Sequence, residues 1–119
     1  MATVLVVEDA LTDMQLLTVY LQYAGYSVVS ATNSDEVQEK IEKNQPDVIF
    51  LDVILPGKSG FEICRELKTN PNTSKIPVVM CSTKNTDVDK MWGSMLGADA
   101  YICKPINQED LLKTLMQFK

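Results

Sequence analysis

The sequence predicts a doubly wound α/β domain, in which a five-stranded parallel sheet carries helices on both of its faces. Short apolar runs alternate with amphipathic stretches along the whole chain, giving five strand–helix units. The runs are apolar at consecutive positions, which is typical of strands covered on both sides. The length of 119 residues suits one compact domain, so we expect a single domain spanning residues 1–119.

Three of the predicted strands are rich in apolar and β-branched residues. They lie at Val4–Val7, Val48–Leu51 and Val78–Cys81. Weaker candidates lie at Val28–Val29 and Tyr101–Cys103. Because parallel strands are joined by right-handed crossovers, the intervening helices are expected on both faces of the sheet.

The stretches between the strands carry apolar residues at helical spacing. Gly25 and Gly97 follow the first and fourth of these stretches and are placed to end the helices. Asn107 is placed to cap the last helix, with Ile106 and Leu111 at the spacing of a hydrophobic staple. On the fourth helix we interpret the apolar face as core packing rather than as a partner site: Val88, Met91, Trp92, Met95 and Leu96.

Composition and charge exclude several classes of protein. With 16 acidic and 11 basic residues the net charge is −5, so sequence-independent binding to nucleic acid or to an anionic membrane surface is not expected. The chain has no histidine, which excludes Ser-His-Asp and Cys-His catalysis, histidine zinc sites and a phosphohistidine carrier.

The sequence also predicts a cytoplasmic location. No apolar run approaches the ~20 residues of a membrane-spanning helix, and the N-terminus lacks the basic segment of a signal peptide. Cys64, Cys81 and Cys103 have no CxxC spacing, and we expect them to be buried free thiols in a reducing compartment.

A chemically complementary set of side chains follows the predicted strands. Glu8 and Asp9 follow the first strand, Asp52 the third, Ser82 the fourth and Lys104 the fifth. In an open parallel sheet the carboxyl ends of the strands border the functional crevice, so we expect these side chains to meet. Each alone has a simpler interpretation as a helix cap or an exposed loop residue, but their joint occurrence at four strand ends favours a site.

This set suits metal-dependent phosphoryl transfer. Clustered carboxylates repel one another unless a cation neutralises them, and an all-oxygen donor set favours Mg²⁺ or a similar hard ion. Lys104 and Ser82 would supply a positive charge and a hydrogen-bond donor for phosphate oxygens. Asp52 lies at the centre with no competing nucleophile, which makes it the candidate phosphoryl acceptor.

These residues resemble the receiver domain of two-component response regulators, the CheY-like family, over essentially the whole chain. The resemblance implies a flavodoxin-like (βα)₅ fold with strand order 2-1-3-4-5. A finer match, to single-domain receivers of pilus-motility and chemotaxis-like pathways, rests on Cys81–Lys84, Trp92 and Gly97–Asp99. The family motifs occur in the expected order and spacing: Val6-Val7-Glu8-Asp9, Pro46 to Gly60 around Asp52, Ile76 to Ser82, and Gly97 to Pro105.

The resemblance also implies a role for each site residue. Glu8, Asp9 and Asp52 would hold Mg²⁺ together with the backbone carbonyl of Ile54. Asp52 would accept a phosphoryl group from a sensor histidine kinase, and Lys104 would pair with that group. Many members have Asp where this chain has Glu8, an exchange that keeps the charge.

Ser82 and Tyr101 are implied to be the switch residues. Ser82 would move to the phosphoryl group, and Tyr101 would rotate into the space that it leaves. The face formed by the fourth helix, fifth strand and fifth helix would then bind a downstream protein. The Lys104–Pro105 peptide bond is implied to be cis, as it usually is in the family.

Two further expectations concern phosphate lifetime and output. Ile54 and Lys84 flank the approach of attacking water, so we expect slow dephosphorylation. The chain ends directly after the predicted fifth helix. If the sequence is whole, output would come through a protein partner; if it is part of a larger regulator, an output domain lies outside it.

Three alternative functions have other sequence requirements. A hydrolase of the haloacid dehalogenase type needs a second acid where this chain has Ile54. A flavodoxin-like binder of FMN needs Ser, Thr or Gly where Glu8 and Asp9 would repel phosphate. A receiver-like module that signals without phosphorylation does not need the complete set of site residues. We expect a switch that promotes only its own phosphorylation and dephosphorylation, rather than an enzyme acting on other substrates.

Overall fold

The computed structural model describes residues 2–118, which form five strands alternating with five α-helices. A short 3₁₀ turn, Ser34–Glu36, precedes the second helix. Within residues 2–118, no helix has the length and apolar character needed to cross a membrane. The strands are β1 (Thr3–Val7), β2 (Ser27–Ala31), β3 (Val48–Asp52), β4 (Val78–Ser82) and β5 (Ala100–Cys103), and the helices are α1 (Leu11–Tyr23), α2 (Val37–Asn44), α3 (Gly60–Thr69), α4 (Asp87–Met95) and α5 (Gln108–Met116).

The strands form one parallel sheet in the order β2-β1-β3-β4-β5, which confirms the predicted fold class and strand order. The register places Val7 opposite Leu51 and Asp52 opposite Cys81. The carboxyl ends of β1, β3 and β4 therefore reach the same edge of the sheet. The strand order reverses between β1 and β3, the point at which doubly wound domains form their crevice.

The sheet is covered on both faces, as its continuous apolar strands predict. Alternate residues of β3 point to opposite faces: Leu51 packs with Ile63 of α3 on one side, and Phe50 packs with Leu17 of α1 and Leu111 of α5 on the other. All of these side chains are buried. The two apolar layers make the sheet a rigid platform whose carboxyl edge holds the loops.

The helix ends follow the sequence signals closely. Gly25 and Gly97 take positive φ angles just beyond α1 and α4, where a residue without a side chain is favoured. The side chain of Asn107 caps α5 by accepting from the backbone N–H of Asp110. The helix α4 is capped by Thr86, which forms a capping box with Asp89.

The apolar face of α4 does not pack into the core, so the sequence interpretation of this face was wrong. Its members Val88, Met91, Trp92 and Met95 are exposed, and Trp92 exposes 48% of its surface. The helix instead presents Gly93, which is buried, to the ring of Tyr101. A glycine at this contact lets the helix approach β5 closely and leaves the apolar residues on its outer side.

Gly60 fixes the start of α3 against the end of β3. Its N–H donates to the carbonyl of Val53 at 2.8 Å. A Cβ at this position would lie 1.9 Å from the backbone carbonyl oxygen of Asp52. Since backbone atoms cannot move aside as a flexible side chain can, only glycine fits here.

We expect Gly60→Ala to lower the free energy of unfolding by about 3 kcal/mol, because the added methyl group forces the loop after β3 to shift. Urea denaturation followed by circular dichroism measures this change. Gly25→Ala is the matched control: it has open space and only a positive φ, so we expect a loss of about 1 kcal/mol. Equal losses in the two variants would contradict this account of Gly60.

Candidate functional site

Three carboxylates lie together at the carboxyl edge of the sheet. Glu8 and Asp9 follow β1, and Asp52 is the last residue of β3. One oxygen from each lies within 4.8 Å of the other two. Glu8 and Asp52 are buried, whereas Asp9 is exposed at the mouth of the site.

Lys104, in the loop after β5, reaches into this group. Its ammonium donates to Oδ2 of Asp52 and to Oδ2 of Asp13, each at 3.0 Å, and to Oε1 of Glu8. An ammonium group has three donors, so all of its hydrogen-bonding capacity is used. Only 7% of the Lys104 side chain is exposed. The Lys104–Pro105 peptide bond is cis, which confirms the expectation drawn from the family resemblance.

The electrostatics of the site are dominated by buried negative charge. Burial raises the pKa of the Glu8 carboxyl, against the opposing effects of hydrogen bonds from Lys104 and from the N–H of Ala10. For Lys104, burial works against the charged form, but hydrogen bonds to Glu8, Asp52 and Asp13 hold its pKa above the usual value. One ammonium thus lies among four carboxylates, counting Asp9, and the site keeps an excess of negative charge that a further cation could neutralise.

The donor set fits a hard divalent ion. The three clustered ligand atoms are all carboxylate oxygens. Oxygen ligands, with neither imidazole nor thiolate among them, are typical of Mg²⁺ sites in which several waters are retained. The charge of such an ion would relieve the repulsion between Glu8, Asp9 and Asp52.

The two oxygens of Asp52 have different partners. Oδ1 accepts from the backbone N–H of Ile54 at 3.3 Å, and Oδ2 accepts from Lys104. The Ile54 side chain points outward and is 57% exposed. This residue therefore lies in the loop directly beside Asp52, and the metal-ligand role of its carbonyl stays a prediction.

Ser82 and Tyr101 both hold the loop after β4 through Lys84. Ser82 is fully buried, and its hydroxyl accepts from the backbone N–H of Lys84 at 3.2 Å. The Tyr101 hydroxyl donates to the Lys84 carbonyl. Burial raises the pKa of Tyr101 to about 12, so the phenol stays protonated and able to donate. Two predicted switch residues are thus joined by one peptide segment.

Sequence reasoning missed two contributors to this site. Asp13 lies in the first turn of α1, four residues after Asp9, and binds Lys104. Asp13 could have been predicted as a site residue, because its helix begins just after Glu8 and Asp9 and the first turn lies at the same edge of the sheet. The backbone of Lys84 gave no signal, because any residue supplies an N–H and a carbonyl.

The cysteines are free, and two of the three are buried as expected. Cys64 and Cys81 are buried and Cys103 is half-buried. Burial raises the pKa of Cys64 to about 11 and raises that of Cys81 as well. Both thiols are therefore poor nucleophiles, and neither supplies chemistry to the acidic site.

Comparisons with known proteins identify the same family as the sequence motifs. Residues 4–116 match the family model described as "Response regulator receiver domain". The chain is 39% identical over 115 residues to Protein PilH of Pseudomonas aeruginosa, covering 97% of this chain and 95% of that protein. It is 37% identical over 113 residues to the phosphate regulon transcriptional regulatory protein PhoB of the same organism, covering 95% of this chain but only 49% of that regulator.

Solved structures show the same fold. The chemotaxis response regulator CheY4 of Vibrio cholerae has a TM-score of 0.91 and 35% identity, with 100% of this chain and 99% of that chain covered. A putative response regulator from Chloroflexus aurantiacus has a TM-score of 0.93 and 32% identity, with coverages of 98% and 96%.

We expect Lys104→Met to lower the free energy of unfolding by about 3 kcal/mol, because it leaves buried carboxylates without their counter-charge. Lys58→Met is the control, since Lys58 pairs with Glu66 on the surface and should lose less than about 1 kcal/mol. Chemical denaturation of both variants measures the difference.

The same loss should depend on pH. Burial already raises the pKa of Glu8, and removing Lys104 takes away an interaction that lowers it. The folded variant then binds a proton that the unfolded chain releases, so its stability should fall as pH rises from the ordinary carboxyl range through the raised pKa. A Lys104→Met variant as stable as Lys58→Met at neutral pH would contradict this view of the site.

Proposed function

Because the chain belongs to the response regulator receiver domain family, we propose that it is a phosphorylation-activated switch that takes its phosphoryl group on Asp52. One observation carries the proposal: the buried Asp52 carboxylate lies beside both an acidic cluster and the Lys104 ammonium. This places a candidate nucleophile between two positions for positive charge. Phosphoryl transfer depends mainly on such positioning and charge neutralisation.

The proposed cofactor is Mg²⁺, held by Glu8, Asp9 and Asp52 together with the backbone carbonyl of Ile54. When bound, the ion neutralises phosphate oxygens and the acidic cluster during transfer. The donor chemistry of the cluster supports this assignment, because three carboxylate oxygens lie within 4.8 Å of one another.

The proposed phosphodonor is the phosphohistidine of a sensor histidine kinase. An oxygen of Asp52 attacks phosphorus, the P–N bond breaks, and the histidine nitrogen leaves with the electron pair of that bond. Lys104 then turns from Asp52 to an oxygen of the transferred group, where its charge offsets the new negative charge. The product is an acyl phosphate on Asp52.

The proposed switch starts from the hydrogen bonds of Lys84. A hydrogen bond from the Ser82 hydroxyl to a charged phosphoryl oxygen is stronger than the bond that this hydroxyl accepts from the backbone N–H of Lys84. Ser82 would therefore turn to donate to the phosphoryl group. Its bond to Lys84 is then lost, which loosens the loop that Tyr101 also holds. Tyr101 changes position with that loop, and the two states need to differ by only a few kcal/mol.

The proposed output is binding of a downstream protein at the face of α4, β5 and α5. The exposed apolar side chains of α4, among them Met91, Trp92 and Met95, support an interaction there. Since the Tyr101 ring lies against Gly93 of α4, movement of the ring would change the packing of that helix. The proposed pathway is a motility pathway, as the resemblance to single-domain receivers of pilus-motility and chemotaxis-like pathways implies and the likeness to a chemotaxis response regulator supports.

We place this switch in the cytoplasm. Its three cysteines are all free thiols, which is the state that a reducing compartment maintains. The single domain of residues 1–119 would then act as the receiver, without catalysing a reaction on another substrate.

Incubation with acetyl phosphate tests the acceptor. We expect one phosphoryl adduct by intact mass that needs Mg²⁺, and we expect Asp52→Asn to abolish it because the amide cannot form an acyl phosphate. Asp35→Asn is the control: Asp35 is exposed in the turn before α2 and should leave the adduct unchanged.

The outcomes separate the candidate functions. An adduct that persists in Asp52→Asn would overturn the acceptor assignment. Absence of an adduct with both acetyl phosphate and a phosphorylated kinase would overturn phosphorylation itself, and would leave a receiver-like module that signals by binding alone.

We also propose that the Asp52 phosphate outlasts the scale of seconds, since Ile54 lies directly beside Asp52 and its exposed side chain, together with Lys84, would flank the approach of attacking water. Ile54→Ser should shorten the lifetime several-fold by opening this approach. Val88→Ser, an exposed apolar residue on α4, is the control. Decay of the adduct after removal of phosphodonor measures both, and a wild-type lifetime of seconds would contradict the hypothesis.

A further inference from the structure

We propose that Asp13 is a positioning residue that keeps Lys104 out of competition with Mg²⁺. This inference rests on the proposed function, since it concerns the same acidic site. It assigns a task to a carboxylate that lies beside the acidic cluster and bonds the same lysine at 3.0 Å.

Lys104 and a metal ion at the acidic cluster compete for the same carboxylates. Lys104 donates to Glu8 and to Asp52, and these two residues also belong to the cluster whose oxygens can share one ion. A cation that enters the cluster therefore competes with the ammonium for the negative charge of the same two carboxylates. The more firmly Lys104 is bound to Glu8 and Asp52, the weaker Mg²⁺ binding becomes.

Asp13 differs from these shared carboxylates. Among residues 2–118 the group whose oxygens can meet at one ion consists of Glu8, Asp9 and Asp52, and Asp13 is outside it. It can therefore keep its bond to Lys104 while the other two turn to the metal. A buried ammonium needs a partner at every stage, and Asp13 is the one that metal binding does not remove.

The surroundings of Asp13 suit this task. Its side chain is 35% exposed, compared with 1% for Glu8, and it is anchored in the first turn of α1. A carboxylate on a helix holds a more constant position than one on a loop. Its charge also adds to the negative potential that attracts a divalent ion.

Both effects have the same sign. Without Asp13, Lys104 relies more on Glu8 and Asp52, and the site carries one negative charge fewer. Each change weakens Mg²⁺ binding. A purely structural role of Asp13 in the first turn of α1 would instead lower stability without affecting the metal.

Calorimetric titration with Mg²⁺ alone tests the proposal. We expect Asp13→Asn to raise the Kd for Mg²⁺ roughly five-fold, an effect of the size that a nearby partly screened charge exerts. Asp13→Glu keeps the charge and should restore most of the affinity. Glu39→Gln removes one exposed charge from α2, and we expect it to change the Kd less than about two-fold.

A double-mutant cycle with Lys104→Met shows whether Asp13 acts through the lysine. In the Lys104→Met background, the effect of Asp13→Asn should shrink to the part that the Asp13 charge exerts directly on the ion, and so should be clearly smaller than in the wild type. Circular dichroism checks that each variant is folded. If Lys104→Met does not fold, the comparison of Asp13→Asn, Asp13→Glu and Glu39→Gln still shows whether Asp13 supports Mg²⁺ binding, and equal Kd values in all three would overturn the proposal.

The results distinguish failure of this inference from failure of the proposed function. Saturable Mg²⁺ binding with equal Kd in the wild type and Asp13→Asn overturns only the role of Asp13. An undiminished Asp13→Asn effect in the Lys104→Met background overturns the mechanism through Lys104. A wild-type chain that binds no Mg²⁺ overturns both proposals.

Discussion

The structure of the site depends on one buried ammonium group and the carboxylates around it. Lys104 joins the loops after β1 and β5 to the end of β3 and to the first turn of α1. Buried ions contribute little net stability, because desolvation offsets their attraction, yet removing one partner is costly. The arrangement is therefore a constraint more than a source of stability. It holds four chain segments in one geometry while leaving excess negative charge for a metal ion.

The strand order explains why a lysine is needed at this position. Parallel strands lie about 4.8 Å apart, and β5 is separated from β3 by β4. A side chain from the end of β5 must pass over the end of β4 to reach Asp52. The long, unbranched stem of lysine spans this distance, and Ser82, a small residue at the end of β4, leaves the path open. The site is thus assembled across four neighbouring strands, β1, β3, β4 and β5.

The link from the site to the surface passes through backbone groups. Ser82 and Tyr101 hold opposite ends of the Lys84 peptide segment, one by its N–H and the other by its carbonyl. Tyr101 in turn packs on Gly93 of α4. If Ser82 changes its hydrogen bonds, the change can therefore reach the exposed apolar face of α4 through Lys84 and Tyr101. Each contact on this route is a hydrogen bond or a ring contact that a few kcal/mol can exchange.

The sheet and the residues at its edge can be predicted from the sequence alone. Continuous apolar runs specify covered parallel strands, and polar residues that interrupt them, such as Glu8 and Asp52, mark where each strand ends. Tertiary structure decided which partners these residues have. The helical period of α4 shows that Trp92 shares a face with other apolar residues, but only packing of Gly93 on Tyr101 turns that face outward. Likewise Asp13 binds Lys104, which lies 91 positions further along the chain; this contact is set by the approach of α1 to the end of β5 rather than by any local pattern.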